Sequence, residues 1–72
     1  MNERLEAAAQ LYDSAAEEFE QAAAHCRTAA GHFRDGEVPR AAAHAWAARG
    51  HVLEAQQSLD DQSREHARRS TP

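Results

Sequence analysis

Five histidines stand among the 72 residues, and four of them keep one spacing. His25 and His32 are seven apart, and so are His44 and His51. Seven helical residues rise about 10.5 Å, too far for two imidazoles of one helix to share an ion. Across two antiparallel helices the sets would face each other, His32 near His44 and His25 near His51. Each cross pair would then offer two nitrogens to Zn²⁺, Cu²⁺ or Ni²⁺. Asp35, Glu37 and Glu54 are the carboxylates closest in sequence. Facing imidazoles also repel once charged, so the same edge reads as a proton-sensitive one. The helical spacings of known metal centres are missing: there is no His-Glu-x-x-His, and no Glu stands three residues before a His.

Other chemistry is sparse. No Gly-rich phosphate loop, nucleophile triad or carboxylate dyad occurs, so a non-catalytic protein is expected. Cys26 is the single cysteine and falls between Phe19 and Phe33 at seven-residue steps, which reads as a small buried hydrophobe. Asp13, Glu17, Glu18 and Glu20 read as a solvated acidic face. Trp46, beside a strip of alanines, reads as an interface anchor.

Such groups need rigid elements behind them, and the chain supplies helices. Alanine fills a quarter of it, with two Pro, three Gly, no Ile and no Lys. Asn2 is a ready N-cap, with Glu3 and Glu6 in the first turn. The pattern runs unbroken to Arg34 and stops at Asp35-Gly36-Glu37-Val38-Pro39. Gly36 suits the left-handed position that closes a helix, and Pro39 the first turn of the next. The spacing predicts one domain: helix 1 over 3–34, a turn over 35–38, helix 2 over 38–68 and a frayed tail over 69–72.

A seven-residue repeat then predicts how the helices pair. Leu5, Tyr12, Phe19, Cys26 and Phe33 occupy position a of helix 1, with Ala8, Ala15, Ala22 and Ala29 at d and Ala9, Ala16, Ala23 and Ala30 at e. In helix 2, Val38, Ala45, Val52 and Leu59 fall at a, and Ala41, Ala48 and Ala55 at d; the four histidines are all at g. The expected fold is all-α, an alanine-rich antiparallel coiled-coil hairpin whose layers set a large a residue against a small one: Phe33 on Ala41, Cys26 on Ala48, Phe19 on Ala55, Val52 on Ala22, Leu59 on Ala15. Two helices cannot bury ten large apolar side chains. Trp46 and Leu53, with Ala42 and the alanine edge Ala9, Ala16, Ala23 and Ala30, are expected to form a contact surface for a second copy, completing a four-helix bundle, or for a helical partner.

Charge narrows the partners. Eight Arg against twelve Asp and Glu leave a net −4, which disfavours nucleic acid. The Arg64, Arg68 and Arg69 cluster fits the last turn of a helix. No apolar run approaches the roughly 20 residues that cross a bilayer, and Met1-Asn2-Glu3-Arg4 lacks the regions of a secretory signal, so a cytoplasmic location is expected.

From Ala29 to Ala48, the small residues Ala29, Gly36, Ala41 and Ala48, with Glu37 after the turn glycine, resemble the helix-turn-helix spacing of a tetratricopeptide repeat. The resemblance implies a protein-binding scaffold and assigns no residue a role. The function expected is a small interaction or self-assembly module; the alternative is a transition-metal or pH-sensing protein built on His25, His32, His44 and His51.

Overall fold

The computed structural model describes residues 2–71; the expectations that fall on Met1 and on Pro72 lie outside them. Two α-helices of 32 residues, α1 (Glu3–Arg34) and α2 (Val38–Arg69), pack side by side as an antiparallel hairpin of 53 × 28 × 12 Å. No helix among the described residues is long and apolar enough to cross a membrane.

Local chemistry sets the ends. The Asn2 side-chain oxygen accepts the Arg4 amide N–H at 2.9 Å, satisfying one of the amides that a helix start leaves unpaired. At the other end Gly36 takes φ +75°, the Gly36 amide donates to the Phe33 carbonyl, and the Glu37 amide donates to the His32 carbonyl at 2.8 Å. This paired closure is the Schellman arrangement, and it needs a residue without a Cβ at its left-handed position. Pro39 sits in the first turn of α2, where its missing N–H costs nothing. The second helix carries on through Arg69, the first residue of the expected tail, and Ser70 caps it.

The seam between the helices corrects the expected layering. The buried residues are six alanines, Ala15, Ala22 and Ala29 of α1 with Ala41, Ala48 and Ala55 of α2, all at position d. Position g flanks them half-buried in both helices, as Leu11, Glu18, His25 and His32 do in α1 and His44, His51 and Ser58 in α2. The bulky a residues of α1 stay at the rim: Phe19 is 42 % exposed, Phe33 52 %, and Cys26 is exposed rather than buried. Phe33, Cys26 and Phe19 are therefore not covered by Ala41, Ala48 and Ala55. Val52 and Leu59 of α2, at the same heptad position, are half-buried.

The cause is steric. Two facing alanine stripes let helix axes approach to the lower end of the usual range, about 8 Å. An aromatic ring wedged into the same layer would hold the axes apart and open every alanine contact beside it. The seam thus runs along d and g, and the a stripe of α1 is turned out, while Val52 and Leu59 at a of α2 stay half-buried.

Candidate functional site

The hairpin has two unlike flanks. On one, the g positions of both helices meet, because histidines of α1 touch histidines of α2 there. His32 lies 5.5 Å from His44 between ring centroids and His25 lies 5.3 Å from His51, both stacked. His25 and His44 are tilted at 5.2 Å, their Nδ1 atoms 2.9 Å apart. The rings therefore form one row, His32, His44, His25, His51, with α1 and α2 alternating.

A carboxylate closes each end of the row. Nδ1 of His32 lies 3.0 Å from Oε2 of Glu37, and Nδ1 of His51 lies 2.6 Å from Oε2 of Glu18. Glu37 also receives the Arg40 guanidinium at 3.4 Å. Because it is turned to His32 and Arg40, Glu37 makes no side-chain cap for α2. The expectation that Glu18 belongs to a solvated acidic face needs correction: it is half-buried against His51. The repeat carries the clue, since Glu18 precedes His25 by seven and shares position g. Asp35 and Glu54, the other carboxylates expected nearby, are exposed.

The inner pair has a definite geometry. The 5.2 Å between centroids exceeds the 2.9 Å between Nδ1 atoms by twice the distance from an imidazole centroid to its ring atoms, about 1.15 Å. Each ring therefore points its nitrogen straight at the other. That is an N–H···N hydrogen bond, with one ring donating and the other accepting. A tetrahedral ion bound at roughly 2.0–2.1 Å holds two such nitrogens about 3.3 Å apart, with each ring aimed at the ion and not at the other ring. As arranged, the pair has room for a proton. Among the described residues no three His, Cys, Asp or Glu side chains converge as a metal-holding group.

The opposite flank carries the exposed large apolar side chains, with Arg49, Gln56 and Ser63 at e of α2 among them. Positions a and e of each helix must lie there, because g is on the other side of the seam. Leu5, Tyr12, Phe19 and Phe33 of α1 are exposed along it, with Val38, Trp46 (76 %) and Leu53 of α2. Of the alanine edge, Ala9, Ala16 and Ala23 are exposed, and Ala30 and Ala42 half-buried. Tyr12, Gln62, Ser63 and His66 line an open depression near the free ends of the helices. The fifth histidine thus stands outside the row.

The C-terminal arginines are engaged locally. Arg64 pairs with Asp61 at 3.0 Å, and Arg68 and Arg69 both reach Glu65, at 2.6 and 2.7 Å. Those two guanidiniums hold the exposed Glu65 carboxyl below its usual range, Arg68 contributing most. The cluster therefore presents little free positive charge to a phosphate track.

No protein-family model, curated protein or solved structure matches this chain. What it does must be read from the geometry of the two flanks.

Proposed function

We propose that this protein is a non-catalytic self-assembly module, whose apolar flank pairs with the same flank of a second copy to make a four-helix bundle. One observation carries the reading: among the described residues, seven large apolar side chains are exposed while nothing larger than alanine is buried. A seam of six methyl groups offers little hydrophobic stabilisation, at about 0.8 kcal/mol per buried carbon. The exposed row of Leu5, Tyr12, Phe19, Phe33, Trp46 and Leu53 is where further burial is to be had. A twofold axis buries that row on both copies at once.

The histidine flank supports this choice of face. Its four Nδ1 atoms are already paired with one another and with Glu18 and Glu37, and its Nε2 atoms would lose water on being covered. Sedimentation equilibrium of the purified chain tests the proposal. A particle of twice the 7.9 kDa chain mass is expected at micromolar concentration. A folded monomer at that concentration would refute it.

A further inference from the structure

The outward stripes of α1 are symmetric about nearly one level, at Phe19 or within a residue beyond it. At position a, Leu5, Tyr12, Phe19, Cys26 and Phe33 run evenly to either side of Phe19. At position e, Ala9 and Ala16 match Ala30 and Ala23 about a midpoint half a residue beyond Phe19. A helix laid antiparallel on a copy of itself, with the axis at Phe19, therefore sets Leu5 against Phe33, Tyr12 against Cys26, Phe19 against Phe19, and alanine against alanine along e. Large residues on one row and methyls on the next give the interdigitation that close helix packing requires.

Position b, which borders e, carries the charges. It reads Glu6, Asp13, Glu20, Arg27, Arg34. All five are exposed, and among the described residues none has an ion-pair partner within the hairpin. In the antiparallel arrangement Arg34 falls beside the partner's Glu6 and Arg27 beside the partner's Asp13. At the centre of the row Glu20 falls beside the partner's Glu20, so the flank carries four attractive pairs and one repulsive one.

Two further facts fit the same axis. The a and e stripes lie roughly 100° around α1 from the d and g seam, the quarter-turn that separates the two neighbours of each helix in a four-helix bundle. Level with Phe19, the ring contacts place α2 near residues 53 and 54. Trp46 lies about 11 Å to one side of that level, and Gln62 about 13 Å to the other, at 1.5 Å per residue. The axis thus brings the partner's Trp46 to the open depression of Tyr12, Gln62, Ser63 and His66.

We infer that two copies pair through α1 in antiparallel register about Phe19, with Arg27 and Arg34 of each against Asp13 and Glu6 of the other. This rests on the self-assembly reading and specifies its interface.

Cys26 supplies the test. In this register the two Cys26 residues are about 21 Å apart along the helices, beyond disulfide reach, whereas residue 12 of one copy faces residue 26 of the other. Under a mild oxidant the native chain is expected to remain uncrosslinked, and Tyr12→Cys to give a disulfide-linked dimer on a non-reducing gel. Efficient crosslinking of the native chain would overturn the register. So would a Tyr12→Cys protein that sediments as a dimer yet forms no disulfide. Charge reversal gives a second arm that does not depend on the thiol. Arg27→Glu with Arg34→Glu should shift the chain to monomer at low salt, and adding Glu6→Arg with Asp13→Arg should restore the dimer. Failure of restoration while the double variant is monomeric overturns the register as well. A native chain that is monomeric throughout defeats the assembly reading itself, which distinguishes the two failures.

Discussion

His25 and His44 point their Nδ1 atoms at each other across the seam, 2.9 Å apart. One nitrogen must carry the hydrogen and the other must be bare, so the two neutral imidazoles cannot be the same tautomer. Nitrogen–proton correlation spectra at pH 8 should show one of the two as the Nδ1–H form and the other as the Nε2–H form. Two Nε2–H rings would mean that the contact is not a hydrogen bond in solution.

Trp46 is the most exposed of the large apolar side chains, at 76 %. A carboxylate there faces water in the lone hairpin and is buried in the proposed bundle, where an unpaired charge is costly. Trp46→Glu is therefore expected to sediment as a monomer and to lose most of its helical circular dichroism. A helical variant of unchanged mass would show that Trp46 lies outside the contact.

Gly36 is held at φ +75°, and a Cβ added there would meet nothing within 4 Å, so the penalty for replacing it comes from the backbone alone. Gly36→Ala should lower stability by about 1–2 kcal/mol. Gly50 lies within α2 with equally open surroundings, and Gly50→Ala should raise stability by about 0.5–1 kcal/mol. Thermal melts of the two variants at equal concentration should move in opposite directions.

Ala55 is fully covered in the seam. Leucine adds volume where two backbones approach closely, and such overpacking costs about 1–3 kcal/mol. Chemical denaturation of Ala55→Leu should show a loss in that range. A more stable variant would mean that the seam accepts large residues after all.

Glu65 offers a pH measurement. Its carboxyl sits below the ordinary value because Arg68 and Arg69 bond to it, so the folded state binds its proton less readily than the unfolded chain does. The contribution to stability is present above the unfolded-state pKa and is lost as pH falls through the folded one. Exposure and salt keep it small. Carbon-detected NMR titration should find the Glu65 carboxyl titrating below the ordinary glutamate value, and Arg68→Ala should raise it.

The hairpin is legible in the sequence because its punctuation is local: Asn2 before an acidic first turn, Gly36 where the backbone must turn left-handed, Pro39 where a missing amide is harmless. The seam is less so. Position d lies between a bulky stripe and a polar one, and hydrophobicity argues for adding a to the seam while close approach argues for adding g. Alanine settles the contest, because a core of methyl groups excludes Phe19 and Phe33 and leaves half-buried space that an imidazole edge fills. The pairings of His32 with His44 and of His25 with His51 follow from the repeat. The head-on contact of His25 with His44 does not, since it links rings one heptad out of step with those pairs. Glu18 is hard to single out because its neighbours Glu17 and Glu20 are exposed, which makes a run of acids look like surface.

The six-alanine seam has one more effect. Methyl groups spaced every seven residues look alike to a helix sliding past them, so α2 could advance one heptad along α1 and find the same smooth track. The imidazoles break that sameness like the teeth of a key: after such a step His25 would meet Ser58, and Glu18 would lose His51. The alignment of the two rods, and with it the shape of the apolar flank, is written in nitrogen atoms on the opposite side.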